Sequence, residues 1–331
     1  MKHMGNSQSE ILRADDLYHV YDTEAIDGNV VALRGVHLRV NQGEVVSIVG
    51  PSGAGKSTLM KCLGGLMKAS AGDVFFEGKS IAKVTPEELL KLRQETVSFI
   101  FQNANLLPYM TILNNVAMPL KYMRVGPRSA RHEAMELLDR LGIKDQAKKL
   151  PNQISGGEKQ RTAIARALIT KPKIILADEP TGSVDPVTSR EILNLFREAI
   201  NETGVSFLIV THNREVAEFA DRSLELVDGR FIAEHGSEIN VFNLADTRRI
   251  IVDSAGNFVL PPELLSEMGG PGTFRIGEVD HDRISLERIH PADPGRAPDR
   301  AKARAFCSAC GKQYANSAEE ACSKCGALRP R

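Results

Sequence analysis

No stretch of this chain approaches the ~18–20 consecutive apolar residues that a membrane-spanning helix requires. The first ten residues, Met1 to Glu10, lack the apolar centre of a secretory signal and read as a loose polar tail. The expectation is a cytoplasmic protein whose membrane association, if any, comes through a partner. Neither sign of charge is in excess: 42 Lys and Arg balance 42 Asp and Glu, which argues against a polyanion binder, so nucleic acid is not an expected partner. There is no internal repeat of fixed period. Cysteine is scarce: of five in 331 residues, four share one short C-terminal stretch and Cys62 stands alone. That distribution excludes a disulfide framework and suits a reducing compartment. Cys62 reads as a small buried hydrophobe.

The length suffices for one large domain and something smaller. From residue 11 to about 235, strand-like and helix-like patterns alternate, which predicts an α/β core. Short β-branched or aromatic runs bounded by turn signals predict strands at 30–33, 38–40, 45–49, 73–76, 97–101, 174–177, 207–210 and 224–226. The stretch 111–142 has helical periodicity, clearest over 130–141, and predicts a helical subdomain at about 104–165 set into one sheet. After 235 the texture changes to a small β-rich module, 236–290, punctuated by Gly256 and Gly269-Gly270-Pro271-Gly272. A Pro-rich, charged linker, 291–305, leads to a cysteine knuckle, 306–331.

The apolar run Val45–Val49 is followed by Gly50-Pro51-Ser52-Gly53-Ala54-Gly55-Lys56-Ser57, with Thr58 opening a helix-like segment. This is G-x-x-x-x-G-K-[ST] between a strand and a helix. The glycines turn backbone N–H groups onto phosphates, and the helix start adds partial positive charge. Lys56 would reach the β- and γ-phosphates of ATP or GTP, and the Ser57 hydroxyl would take a Mg²⁺ position. The apolar run 174–177 ends in Asp178-Glu179-Pro180, placing Asp178 to hold Mg²⁺ opposite Ser57 and Glu179 to polarise an attacking water. Upstream, Ile154-Ser155-Gly156-Gly157-Glu158 runs into a helix with Ser155 as N-cap, a second anion-binding helix start. One phosphate loop and two anion sites fit a second site that faces the nucleotide of another copy.

This set resembles the ATP-binding cassette (ABC) ATPases over about two-thirds of the chain. Residues 154–158 stand where the family has its L-S-G-G-Q signature, with Ile for Leu and Glu for Gln. The resemblance implies an ATPase that forms a homodimer, the signature Ser155, Gly156 and Gly157 of one copy closing over the ATP of the other. It implies that Gln102, after Phe101, senses Mg²⁺ and water, that Ser183-Val184-Asp185 crosses the dimer interface, and that His212 after Thr211 contacts the γ-phosphate. It places Tyr21 where an aromatic stacks on adenine, with Tyr18 close by. The catalytic set is therefore Glu179, His212, Lys56 and Gln102. One cassette, about one hundred residues between phosphate loop and signature, and no span look like the separate nucleotide-binding subunit of a transporter. The segments 35–38, 99–108 and 113–120 look like the LolD/MacB/FtsE group, whose members work with transmembrane permease subunits. Phe101, Leu106, Leu107 and Tyr109 would line the groove for a coupling helix.

At the C-terminus, Cys307-x-x-Cys310 and Cys322-x-x-Cys325, eleven residues apart, have the spacing of a structural tetrahedral Zn²⁺ site or that of a similar soft metal. Residues 250–264 resemble the AbrB-type swapped-hairpin domain, with Asn257 and Ser266 where that family has basic residues. The fold class expected is thus a P-loop α/β ABC domain with a helical subdomain, a small β-rich module and a zinc ribbon. The function expected is ATP-driven export or mechanotransmission; the alternative is a soluble regulatory ATPase acting on nucleic acid or a protein through the ribbon.

Overall fold

The computed structural model describes residues 9–22, 29–182, 184–236, 248–252, 258–260, 262–270, 274–280 and 283–288. The four C-terminal cysteines, the linker 291–305, Ser183, most of the polar tail and part of the AbrB-like segment (253–257) lie outside them.

Two long antiparallel strands open the chain, β1 (Glu10–Tyr21) and β2 (Val30–Asn41). The phosphate-loop strand β3 (Val45–Val49) leads into helix α1 (Lys56–Leu63). Then come β4 (Ala71–Phe76), β5 (Lys79–Ser80), α2 (Pro86–Glu95) and β6 (Val97–Ile100). Helices α3 (Ile112–Tyr122), α4 (Pro127–Arg140) and α5 (Gly156–Leu168) form the helical insertion. The chain returns through β7 (Ile174–Asp178), α6 (Pro186–Thr203), β8 (Ser206–Val210), α7 (Arg214–Phe219), β9 (Arg222–Val227) and β10 (Arg230–Gly236).

A four-stranded antiparallel sheet runs β2-β1-β4-β5. The seven-stranded sheet runs β11-β10-β9-β3-β8-β7-β6, where β11 is Arg248–Ile250. Its β9-β3-β8-β7-β6 portion is parallel. The apolar runs that predicted these strands sort by the two-residue period of a pleat. On β7, Ile175 and Ala177 enter one core while Ile174 and Leu176 enter the other. On β8, Phe207 and Ile209 divide from Leu208 and Val210 in the same way. Both faces are covered, so these strands are continuously apolar. The first core joins the sheet to α3–α6, through residues such as Ile112, Leu138, Ile164 and Phe196. The second fills the space toward β1, β2, β4 and α1 with Leu12, Leu33, Leu59 and Phe76.

Several expectations are corrected. The runs 30–33 and 38–40 are parts of one strand, β2. Strand β1 carries no simple apolar signal because its buried residues, Ile11, Leu12, Ala14, Leu17 and His19, are irregularly spaced and its pairing with β4 shifts register after Asp15. Beyond residue 235, β11 pairs antiparallel with Ala233–His235, so the main sheet continues past the expected edge of the domain. The chain divides into compact units Met1–Pro261 and Pro262–Arg331. Within the second, α8 (Pro262–Glu267) precedes an antiparallel hairpin of β12 (Phe274–Asp280) and β13 (Arg283–Arg288).

Candidate active site

In an open α/β sheet, ligands bind beyond the carboxyl ends of parallel strands. Here four neighbouring strands, β3, β8, β7 and β6, deliver their following loops to one place. The loop after β3 carries Gly50–Ser57, the end of β7 carries Asp178 and Glu179, the loop after β8 carries His212, and that after β6 carries Gln102. Together with Tyr21 and Thr58 they line a cavity of about 1060 Å³. Ser52 and Gly53 also line it; Ala54 is buried beneath the loop instead.

The glycines are required by geometry. Gly55 has φ +100°, a left-handed conformation, and a Cβ there would stand 2.5 Å from the Ala32 carbonyl oxygen. A Cβ at Gly50 would collide with the Leu226 carbonyl. The Lys56 ammonium donates to the carbonyls of Gly50 (2.7 Å) and Pro51 (2.8 Å), so its charge is held over the loop.

Burial pushes the Asp178 carboxyl above the ordinary aspartate range; the Ser57 hydroxyl opposes this, neighbouring Glu179 adds to it, and Lys56 and Lys61 oppose it weakly. A desolvated carboxylate and a hydroxyl side by side form an oxygen set of the kind Mg²⁺ prefers. Glu179 is buried and has φ +51°, rare for a non-glycine residue. Its N–H donates to the Val210 carbonyl (2.8 Å), which ties the turn to β8. One carboxylate oxygen, Oε1, lies 2.7 Å from His212 Nδ1. The other, Oε2, is buried and has no hydrogen-bond partner among the described residues. With the carboxylate ionised, Nδ1–H donates to it, so the neutral imidazole keeps Nε2 as its acceptor.

Tyr21, unlike Tyr18, lines the cavity; its hydroxyl is 3.0 Å from Thr58 Oγ1 and its ring meets His19 edge-on. Ser155 caps α5 in a complete capping box: its side chain accepts from Glu158 N–H, while the Glu158 carboxylate accepts from Ser155 N–H at 2.8 Å. These bonds, the backbone one first, hold the Glu158 carboxyl below its ordinary range. Ser155 and Gly156 are exposed, and neither they, Gly157 nor Asp185 lines the cavity. Asp185 caps α6 instead, accepting from Val187 N–H, Thr188 N–H and the Thr188 hydroxyl, bonds that lower its pKa. The cavity also uses residues absent from the sequence reading: Arg34, Asp228, Gly229, Arg230 and Val259. The Asp228-Gly229 turn was a visible signal, but only the sheet order brings it beside the phosphate loop.

A family model described as ABC transporter matches residues 33–182. The lipoprotein-releasing system ATP-binding protein LolD of Bacteroides fragilis is 44% identical over 205 residues, 62% of this chain and 95% of its own length. The macrolide export ATP-binding/permease protein MacB of Rhodopirellula baltica is 43% identical over 228 residues, 67% of this chain but 33% of its own length. Among solved structures, a dimeric ATP-binding cassette in a post-hydrolysis state bound to ADP and Pi superposes with a TM-score of 0.66 at 36% identity, covering 69% of this chain and 99% of its own. Among the described residues no helix is long and apolar enough to cross a membrane. With the strand-end geometry above, these likenesses establish that the chain belongs to the ABC transporter ATP-binding family, as an ATP-hydrolysing subunit of the LolD/MacB type.

Proposed function

We propose that two copies of this chain sandwich two Mg·ATP head to tail and that closure of the pair drives a membrane permease. The observation that carries this reading is the separation of the two anion-binding helix starts. Lys56 and Ser57 line the cavity, whereas the capped start of α5 is exposed and does not. A nucleotide held by the first therefore has an open side that Ser155, Gly156 and Gly157 of a second copy would cover. Ser57 and Asp178 would hold Mg²⁺, with Gln102 near it, and Mg²⁺ would neutralise phosphate charge. Lys56 would bind the β- and γ-phosphates. Glu179 would take the proton of the attacking water on a carboxylate oxygen, oriented by His212, and Tyr21 would face adenine.

Glu179→Gln should lower turnover by about 10²–10⁴-fold, the usual weight of a general base. With Mg·ATP it should accumulate as a dimer by light scattering, and adding Ser155→Arg should return it to monomer with ATP still bound. Wild-type turnover in the first variant, or a persistent dimer in the second, would overturn the reading.

Leu107 and Tyr109, the latter 94% exposed, lie on the loop after Gln102 and would receive a coupling helix. Membrane association would then be peripheral, on the inner face, through that permease. Relatives named for lipoprotein release and macrolide export favour this over the soluble regulator. The C-terminal cysteines would hold one structural Zn²⁺ per chain, measurable by elemental analysis and lost in a Cys307→Ser, Cys310→Ser variant.

A further inference from the structure

One side chain of the nucleotide cavity comes from well beyond the family core. Val259 lines the cavity with Tyr21 and Val30, although it lies 47 residues beyond His212, the last of the family-like motif residues. The described residues that precede it, 229–236 and 248–251, are anchored on the same framework as the phosphate loop. The Asp228-Gly229 turn is fixed from both sides: Gly229 N–H donates to the Ala54 carbonyl (3.0 Å) and Arg34 N–H donates to the Gly229 carbonyl (2.9 Å). Strand β10 leaves that turn, β11 pairs with β10, and Ile251 N–H donates to the Ile232 carbonyl at 3.1 Å while its side chain packs on the inter-sheet core.

Two apolar side chains at this wall are left in water: Val30 is 55% and Val259 40% exposed. Val259, Arg34 and Arg230 also line a neighbouring cavity of about 240 Å³ that includes no residue of the phosphate loop. Val259 thus borders both the nucleotide cavity and a cavity that holds no phosphate-loop residue. A nucleoside triphosphate has a polyanionic end and a largely flat, apolar end. Lys56, Ser57 and the loop amides suit the first, and Tyr21, Val30 and Val259 suit the second.

We infer that Val259 is a wall of the nucleoside pocket, so that the segment following the ABC core sets the protein's affinity for nucleotide. This rests on the reading of the cavity as the nucleotide site. The test is titration calorimetry on the full chain with two probes, Mg·AMP-PNP and Mg·tripolyphosphate, the second lacking a nucleoside. Val259→Ala deletes two methyl groups at a partly exposed wall and should weaken AMP-PNP about 3-fold. Val259→Asp should weaken it about 10-fold or more by placing a carboxylate there. Neither should change tripolyphosphate binding. Unchanged AMP-PNP affinity in both variants, or an equal loss for both probes, would overturn the inference. Lys56→Ala separates the two failures. If it abolishes binding of both probes while the Val259 variants bind normally, only the role of Val259 is wrong. If it leaves AMP-PNP binding intact, the site itself is misassigned. Should Val259→Asp fail to fold, the alanine variant alone decides.

Discussion

Asp178→Asn should stabilise the nucleotide-free protein while destroying its Mg²⁺-dependent turnover. Asp178 ends β7 half-buried, and burial is the largest of the influences on its carboxyl, raising its pKa; the Ser57 hydroxyl and two lysines compensate only in part. The raised native pKa fixes the sign of the linkage. The folded state binds the proton more tightly than the unfolded state, so stability falls as pH rises from the ordinary aspartate value through the raised native one. Above that window the ionised group is a constant cost, and below it the cost vanishes. Asparagine keeps the shape and can still bond Ser57 without the charge. Relief of ~1 kcal/mol, the low end of the cost of burying a poorly compensated polar group, corresponds to roughly 2–4 °C in a domain of this size. Calorimetry from about pH 4 to 8 should show the variant's midpoint above the parent's at neutral pH, with the gap closing as pH falls through the carboxylate range. Mg·ATP should reverse the order, raising the parent's midpoint more than the variant's. A variant that melts below the parent at neutral pH would refute the argument, because Asp178 would then be a net stabiliser through its hydrogen bonds.

Three further outcomes follow from the same geometry. Asn115, buried in α3, accepts from Leu107 N–H and shares its amide among the carbonyls of Leu107, Met110 and Thr111. Asn115→Ala should cost ~2–3 kcal/mol, a midpoint drop of roughly 5–10 °C, with faster amide exchange at Leu107. Gly55→Ala should abolish ATP binding by filter assay and cost at least ~1 kcal/mol, since the left-handed φ and the Ala32 carbonyl both exclude a methyl group. The Cys62 thiol, pushed up to about 11 by burial, should resist alkylation at pH 8 in the native state and react on unfolding, read from its own peptide by mass spectrometry.

The parallel strands were legible because burial on both faces leaves a nearly continuous apolar run, broken only by Ser47 in Val45–Val49 and closed by Asp178 in Ile174–Asp178. The edge elements were not. Strand β1 spaces its buried residues irregularly and shifts register between Asp15 and Tyr18, so it carries neither an apolar run nor a clean alternation. Strand β11 is three residues long and is defined by its partner, not by its own composition. The same division runs through the site. Phosphate-loop residues and strand-end carboxylates are local in sequence, and their chemistry is written in short motifs. The walls are non-local: Arg34 on β2, Arg230 on β10 and Val259 join the phosphate loop around one cavity through the order of the sheets, which no local pattern encodes. Asp185 carries a local role that its motif did not spell out, as the N-cap of α6.

The distribution of unsatisfied groups gives the arrangement a direction. At the end of β7 three unfavourable features coincide: Asp178 is desolvated, Glu179 holds a left-handed backbone conformation, and Glu179 Oε2 is buried without a partner. A residue held at such a φ costs on the order of 1–3 kcal/mol, and an orphaned buried acceptor costs about 1–3 kcal/mol more. At the start of α5 the capping box satisfies Ser155 N–H and Glu158 N–H within the chain, and the orphaned atoms, Gln160 Nε2 and Arg161 Nε, lie a turn further on and are buried. One half of the proposed composite site is thus strained in its backbone and desolvated at its carboxylates, and the other is capped and exposed at its tip. A bound cation on Asp178 and a water on Glu179 Oε2 would relieve the first half without rearranging the second. Binding energy released there is available for drawing a second, rigid helix start onto the nucleotide. A surface like that of α5, which needs nothing from its own chain, is suited to dock as a preformed body.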